Sequence, residues 1–168
     1  MSGSQGGDPT EWALRVAREA DIASICAFGE AHIRPHYAPL IGADAADLQV
    51  KNWWNETQIR RAVKDGLVTV AEAAGCVIGV AQRGRYGSAH VLFKLYVDPA
   101  YRGRGLGSDL VSNVIDRLRP EAERLCVEHF AGNVRAAAFY EREGFFVERV
   151  EPHGASPALD VVWRARKL

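Results

Sequence analysis

The stretch LYVDPAYRGRGLGSD, residues 95–109, joins the end of a predicted strand to the start of a predicted helix. A strand that ends at Val97, a turn held by proline and a helix that begins near Gly105 leave several backbone amides unpaired. Because these amides point in one direction, the junction predicts an anion site. The alternative is a tight turn in which glycine only supplies left-handed backbone angles.

The side chains of this stretch favour a phosphate group as the anion. Three glycines without a Cβ atom let a bulky group approach the main chain, at Gly103, Gly105 and Gly107. Arg102 and Arg104 add positive charge, which suits a pyrophosphate. No Gly-Lys-Ser/Thr sequence follows, so a Walker loop is excluded. The dinucleotide pattern G-x-G-x-x-G fails as well, because it meets Ser108 or Leu110 where the last glycine should stand.

The composition suits one globular domain. The chain has 168 residues, of which 48% are hydrophobic and 25% charged, enough for a sheet, covering helices and a cleft. Lysine plus arginine equal aspartate plus glutamate at 21 each, so the chain lacks the overall positive field of a nucleic-acid or membrane-surface binder. We therefore expect neither partner, while a homodimer stays open.

The cysteines predict the cellular compartment, and the first residues predict where the domain begins. Cys26, Cys76 and Cys126 are odd in number, widely spaced and outside any C-x-x-C motif, which argues against a disulfide framework or a zinc site. We expect no bound metal and a reducing cytoplasm. Residues 1–10, MSGSQGGDPT, are polar and glycine-rich and predict a disordered tail, which leaves one domain over residues 11–168.

Periodicity predicts seven strands and four helices. The strands are expected at residues 14–19, 67–73, 76–85, 90–97, 124–130, 145–151 and 159–168, the second to fourth being antiparallel. The helices are expected at residues 19–31, 44–64, 106–118 and 133–143. Pro35 and Pro39 predict a loop between the first two helices. Leu48, Trp53 and Ile59 are expected on the inner face of the second.

Two separated motifs carry a resemblance to a known family. RGRGLG, residues 102–107, resembles the R/Q-x-x-G-x-G/A pyrophosphate loop of the GNAT N-acetyltransferase superfamily, and a strand ending LYVDP precedes it as in that family. LCVEHFAGNVRAAAFYEREGF, residues 125–145, is similar to the family's strand, Asn, helix, Tyr and Gly-Phe segment. The resemblance covers about residues 90–147, and LRVAREADIASI suits the family's opening strand and helix.

The resemblance implies an α/β (α+β) fold with a mixed, mostly antiparallel sheet flanked by helices. The strands at 90–97 and 124–130 would splay apart, and acetyl-CoA would lie between them. Main-chain groups of Leu95, Tyr96 and Val97 would pair with the pantetheine arm, and Asn133 would contact the same arm or cap the following helix. The pyrophosphate would be held by the loop itself, at Arg102, Gly103, Arg104, Gly105, Leu106, Gly107 and Ser108.

The same resemblance implies two catalytic side chains. Tyr140, seven residues after Asn133, would act as the general acid. The alternative is that Tyr140 is an aromatic core residue, because it shares a side of the helix with other apolar residues. Glu128 has the spacing of the glutamate in the ribosomal-protein N-terminal acetyltransferases of the superfamily, and a solvent-facing strand glutamate is the alternative. Glu72 is the reserve base, and water alone is the third option.

Other family members place a base on the strand before the loop, where the count from Arg102 puts Val91 and Phe93. His90 has the opposite strand parity, so we do not expect it to act as the base. The Val97 amide is the candidate donor to the reacting carbonyl oxygen.

The implied function is transfer of an acetyl group to a small amine, an amino acid or a peptide N-terminus. An acyl-CoA-binding regulatory module without turnover is the alternative. In this family the first two helices and their connection build the acceptor pocket, which here offers His32, Arg34, His36, Tyr37, Trp53 and Trp54. Trp53 and Trp54 are adjacent, so at least one of them is expected to pack in the interior.

Overall fold

The structure is a computed structural model that describes residues 11–168, so the predicted tail at residues 1–10 lies outside the described residues. It contains one seven-stranded sheet, as predicted, and five α-helices rather than four. The strands are β1 (Ala13–Val16), β2 (Val68–Ala73), β3 (Cys76–Tyr86), β4 (Ala89–Val97), β5 (Arg124–Phe130), β6 (Phe146–Glu151) and β7 (Val161–Lys167). The helices are α1 (Ile22–Ile41), α2 (Ala43–Trp53), α3 (Glu56–Lys64), α4 (Leu106–Leu118) and α5 (Val134–Arg142).

The sheet has the order β1-β2-β3-β4-β5-β7-β6 and is antiparallel except between β4 and β5. These two parallel strands pair only at Val91 with Cys126 and at Leu92 with Val127. Beyond Leu92 they separate, as the resemblance implied. The edge of β4 that faces β5 is therefore free along its last residues, and a cleft opens there.

Helix α1 runs through both of its prolines to Ile41, so the predicted loop at residues 32–43 is wrong. A proline inside a helix removes one hydrogen bond and crowds the preceding turn. Here buried residues keep helical spacing past Pro35, at Ile25, Phe28 and Ile33. Burial of this face offsets the lost hydrogen bonds, and α1 ends only at Gly42, whose φ is +88°.

The predicted helix at 44–64 is two helices, which accounts for the fifth helix. Asn55 ends the continuity, because its side chain accepts a hydrogen bond from the Gln58 amide at 2.9 Å and caps α3. The expected inner face also changes on α2. Leu48 and Trp53 are 55% and 54% exposed, while Trp54 is buried. The expectation that one tryptophan packs is thus correct, and the packed residue is Trp54.

Two apolar clusters lie on opposite faces of the sheet. One joins the sheet to α4 and α5 and includes Leu92, Leu110 and Tyr140. The other joins β2 and β3 to α1 and α3 and includes Ile33 and Val80. We call these the α4 face and the α1 face of the sheet. No helix among residues 11–168 is long and apolar enough to cross a membrane, and no group of potential metal ligands clusters there.

Candidate active site

The gap between β4 and β5 is the floor of a cleft of about 460 Å³. Helix α4 closes one end, α5 one side and the last part of α1 the other. The cleft brings together every cofactor-binding and catalytic residue that the sequence predicted, except Arg104 and the reserve base Glu72: Leu95, Tyr96, Val97, Arg102, Gly103, Gly105, Leu106, Gly107, Ser108, Glu128, Asn133 and Tyr140.

The N-terminus of α4 presents free amides to this cleft. Gly105 is the N-cap, and Asp109 is the first residue whose amide finds a partner in the helix, the Gly105 carbonyl at 3.0 Å. The amides of Leu106, Gly107 and Ser108 precede it and have no intrahelical acceptor. Gly105 has φ +91°, which a residue with a Cβ adopts only with strain. The predicted anion site therefore has the donors and the backbone shape that a phosphate needs.

Gly107 has a packing role in addition to the one that the sequence indicated. A Cβ at this position would lie 3.1 Å from a ring carbon of Phe139. The missing side chain therefore lets α4 and α5 approach each other. This contact matters for the site because Phe139 precedes Tyr140 on α5 and also lines the cleft.

Four arginines lie in or beside the cleft, and the sequence identified only two of them. Arg102 lines the cleft, and its Nε donates to the Val97 carbonyl at 3.3 Å. Arg104 points away, forms an ion pair with Glu11 and lies over the Tyr101 ring. Arg135 and Arg142 line the cleft from α5, although neither carries a local sequence signal.

Strand β4 contains a bulge at Phe93. Lys94 pairs with Gln82 and Leu92 with the next residue, Arg83, so Phe93 has no opposite partner. The bulge interrupts the alternation of β4 between Val91 and Phe93, the two positions given by the count back from Arg102. Neither Val91 nor Phe93 has a carboxylate or a histidine side chain, so neither position supplies a base. His90 contacts Arg85 at the hairpin end.

The free edge of β4 supplies a backbone donor. The Asp98 amide donates to Ile78 on β3 at 2.8 Å. Because successive amides of a strand point to opposite sides, the Val97 amide is directed to the β5 side, where the cleft lies. Val97 also lines the cleft. This amide is the donor that the sequence proposed for the reacting carbonyl.

Tyr140 is both a core residue and a cleft residue, so its position is compatible with either of the two interpretations. It is 8% exposed and packs against Phe145, with the ring centroids 5.5 Å apart. It also lines the cleft. Burial, followed by the nearby Tyr37, raises its pKa well above the usual value for a tyrosine. The hydroxyl therefore keeps its proton at neutral pH, as a general acid must.

The ring of Tyr140 rests on His129, a residue that the sequence analysis did not identify. The two rings are stacked with centroids 6.2 Å apart and an angle of 19° between them. His129 Nδ1 lies 2.9 Å from the Phe130 carbonyl, and Arg164 donates from Nε to His129 Nε2 at 3.0 Å. Since Nε2 accepts, the proton of the neutral ring is on Nδ1. Desolvation lowers the pKa of His129, the hydrogen bond to the Phe130 carbonyl opposes this shift, and the charge of Arg164 adds to it.

Glu128 lies on the α1 face of β5, opposite to His129. Glu128 is exposed to solvent, as the alternative interpretation expected, and it also lines the cleft; it makes no ion pair within residues 11–168. Desolvation raises its pKa, the neighbouring Glu151 raises it further, and Arg149 opposes both. Glu72 is held by Arg15 at 2.7 Å and does not line the cleft. The geometry therefore leaves Glu128 and water as the candidate bases.

Helix α1 covers the α1 face of the cleft with His36 and Tyr37. The Tyr37 hydroxyl is hydrogen-bonded to the Tyr96 hydroxyl. Asn133 Nδ2 lies 3.4 Å from His36 Nε2, and the Asn133 side-chain oxygen caps α5 by accepting from Ala136. Desolvation and two nearby arginines lower the pKa of His36. The continuous helix thus brings two of the six expected acceptor-pocket residues to the cleft.

The other expected acceptor-pocket residues lie outside the cleft. His32 packs on Phe28 and faces Asp98 at 3.8 Å. Arg34 is bound by Glu30 and Asp47. Trp53 is largely exposed, and Trp54 packs behind Tyr96 with ring centroids 5.4 Å apart.

Comparison with known proteins agrees with this geometry. A sequence model of the family described as acetyltransferase (GNAT) domain matches residues 64–147. The L-amino acid N-acyltransferase MnaT of Escherichia coli strain K12 is 28% identical over 145 residues, which cover 83% of this chain and 82% of that protein. The chain belongs to the GNAT family of N-acetyltransferases.

Solved structures share the fold. The PaiA N-acetyltransferase of Thermoplasma acidophilum in complex with coenzyme A superposes with a TM-score of 0.82 at 16% identity, covering 94% of this chain and 99% of that one. YncA of Salmonella typhimurium, a putative acetyltransferase with its cofactor acetyl-CoA, superposes with a TM-score of 0.70 at 24% identity, covering 95% of both chains. The predicted fold class and the predicted family are both confirmed.

Proposed function

We propose that this protein transfers the acetyl group of acetyl-CoA to a primary amine by direct attack of the amine on the thioester. The observation that carries the proposal is the cleft between β4 and β5, with free amides of α4 at one end and Tyr140 and Glu128 beyond them. The acceptor is a small molecule, an amino acid or a peptide N-terminus. The relative named as an L-amino acid N-acyltransferase supports the amino-acid class.

The residues at the α4 end fit the anionic part of acetyl-CoA. The amides of Leu106, Gly107 and Ser108 point at one position, and a helix N-terminus favours negative charge. Arg102 and Arg135 add cations near it. The free edge of β4 offers strand-like hydrogen bonds to the amide groups of the pantetheine arm, which would extend from the phosphates toward Phe93.

The transfer needs four actions from the protein. The Val97 amide donates to the thioester carbonyl oxygen, which gains negative charge as the amine attacks. Glu128, directly or through water, takes a proton from the amine. The N–C bond forms, the C–S bond breaks, and Tyr140 donates its proton to the departing sulfur. His129 supports the Tyr140 ring without touching the reacting atoms.

The acceptor's own pKa decides how much a base contributes. Deprotonating a lysine-like amine of pKa ~10.4 at pH 7 costs about 4.6 kcal/mol, whereas an α-amino group of pKa ~7.8 costs about 1 kcal/mol. A base therefore contributes more for a lysine-like acceptor than for an α-amine, for which a strong base is optional. We also place the reaction in the cytoplasm, a proposal that rests on the isolated cysteines, of which Cys126 is buried and Cys76 exposed.

One experiment separates an enzyme from a binding module. The protein is incubated with acetyl-CoA and a mixed amine panel, and free CoA is followed with a thiol reagent while thermal stabilisation by acetyl-CoA is recorded in parallel. We expect amine-dependent release of CoA. Stabilisation without any release would replace the enzyme by an acyl-CoA-binding module, and the absence of both would remove CoA from the cleft.

A further inference from the structure

Lys94 is a buried cation without an anionic partner. It lies on β4 and is 7% exposed. Its Nζ donates to the side-chain oxygen of Gln82 at 2.8 Å and lies 5.4 Å from the ring centre of Trp54. No carboxylate of residues 11–168 pairs with Lys94, whereas Arg15 and Arg34, for example, each pair with a carboxylate. One neutral acceptor leaves two of its three donors unused.

A buried ammonium in this state is costly, and the fold retains it. Buried charges are normally paired with an opposite charge or bound to a ligand. Desolvation lowers the pKa of Lys94 to about 8, so the side chain is still mostly protonated at neutral pH. An anion brought to this position would gain a strong hydrogen-bonded partner that has no competitor in the protein.

Lys94 lies on the same face of the sheet as Glu128, the proposed base. It pairs across the sheet with Gln82, next to the pair of Val80 and Tyr96, and it shares the α1 face with Tyr96. Lys94 itself does not line the cleft and lies behind it, against Gln82 and Trp54, whereas its neighbours Phe93 and Leu95 do line the cleft. Glu128 also faces this side, whereas Tyr140 and the amides of α4 lie on the α4 side. An amine that reaches the thioester past Glu128 therefore arrives on the face that carries Lys94.

We propose that Lys94 binds the carboxylate of the acceptor, so that the preferred acceptor is an amine that also carries a carboxylate, as an amino acid does. The inference rests on the proposed acetyl transfer and narrows its acceptor class. The four-carbon side chain is flexible, and its single bond to Gln82 is exchanged for the incoming carboxylate.

The test uses paired acceptors and three variants of the full chain. The common L-amino acids are each compared with the amine left by removal of the carboxylate, for example L-phenylalanine with phenethylamine and L-leucine with 3-methylbutylamine. Lys94→Met keeps the length of the side chain and removes the charge. Gln82→Glu keeps Lys94 and gives it an internal carboxylate that competes with the ligand. Lys51→Met removes an exposed lysine of α2 and is the matched control.

We expect the parent and Lys51→Met to prefer an amino acid over its decarboxylated amine in kcat/KM. Both Lys94→Met and Gln82→Glu should reduce this preference by about tenfold or more, through KM, since a hydrogen bond to a charged group is lost. The proposal is overturned if the best acceptor has no carboxylate, or if Lys94→Met folds and keeps the parent's preference.

A binding measurement distinguishes this inference from the proposed function. Calorimetry on the CoA-loaded protein compares 4-methylpentanoate, which has the leucine skeleton without the amine, with its neutral amide. If no acceptor is acetylated but the carboxylate binds and Lys94→Met abolishes that binding, the anion site stands and the proposed activity fails. If acetylation occurs while carboxylate and amide bind equally to parent and variant, the activity stands and the Lys94 inference fails.

Discussion

Arg164 Nε donates a hydrogen bond to Nε2 of His129 at 3.0 Å, and both side chains are buried. The guanidinium also donates to the Phe145 carbonyl at 3.3 Å and has no carboxylate partner within residues 11–168. This bond fixes the position of the imidazole, and the Tyr140 ring stacks on that imidazole. Arg164, on β7, thus orients Tyr140, the proposed acid, through His129, although Arg164 itself does not line the cleft.

Removing the imidazole should destabilise the fold through Arg164. His129→Phe keeps a flat ring under Tyr140 but leaves the buried Nε donor without an acceptor, so we expect a loss of about 1.5–3 kcal/mol in unfolding free energy. Urea unfolding at pH 7.5 measures it. The double variant His129→Phe with Arg164→Met removes both partners and should recover part of the loss. A double variant as unstable as the sum of the two single variants would show that the bond has no such role.

The same pair predicts an acid-sensitive stability. Burial and Arg164 lower the pKa of His129 in the folded protein, so the unfolded chain binds more protons below its own pKa of ~6.5. Stability is therefore complete above about pH 6.5 and is lost as pH falls through the lower folded pKa. Because His36 acts in the same direction, the comparison is with Arg164→Met, whose unfolding free energy should depend less steeply on pH between 7.5 and 5.5. Equal slopes in parent and variant would contradict the link.

The local parts of this fold were predictable because local signals specify them. Strand β5 at Arg124–Phe130 was predicted with the correct bounds, and α4 begins at Leu106, beside Gly105, where its start was predicted. The free amides at the start of α4 follow from that junction alone. Fold class and family could therefore be predicted from residues 95–109 and 125–145.

Tertiary packing decides what the sequence predicted wrongly. The end of α1 forms over two prolines because Ile33 and Tyr37 are packed against the sheet and the cleft, which a local helix rule does not include. The bulge at Phe93 has no signature in the strand that contains it. His129 and Lys94 looked like ordinary strand residues, because only the neighbouring strands and helices supply their partners.

The Gly105 position offers a sharp test of the pyrophosphate site. Gly105→Asp places a carboxylate at the N-cap of α4, beside the amides that would hold the phosphates, and should weaken acetyl-CoA binding in calorimetry. Gly105→Asn has nearly the same shape, tolerates the positive φ about as well and carries no charge. We expect Gly105→Asn to bind acetyl-CoA more tightly than Gly105→Asp. Equal affinity in both variants and in the parent would remove the loop from the site.

Tyr140→Phe separates the acid role from the packing role. The ring keeps its contacts with His129 and Phe145, and only the hydroxyl is lost. If Tyr140 protonates the departing sulfur, turnover of an identified acceptor should fall about 10²- to 10⁴-fold with little change in stability. Tyr86→Phe is the control, since Tyr86 is 64% exposed and stacks on Trp163 outside the cleft. Turnover within a few-fold of the parent would return Tyr140 to a packing residue.

Glu128→Gln tests the base, and pH is the variable that decides the result. The carboxylate must be ionised to take a proton, and partial desolvation together with Glu151 raises its pKa, so kcat/KM of the parent should fall on the acid side as Glu128 becomes protonated. The variant should lose most activity near neutral pH and recover part of it as rising pH supplies free amine. The loss should be larger for a lysine-like acceptor than for an α-amine, because the former has the larger deprotonation cost. Profiles of kcat/KM against pH for both acceptors measure this.

Glu72→Gln is the comparison, since the Glu72 carboxylate is held by Arg15 away from the cleft. A Glu128→Gln profile that follows the parent from mildly acidic to mildly alkaline pH would leave water as the proton acceptor.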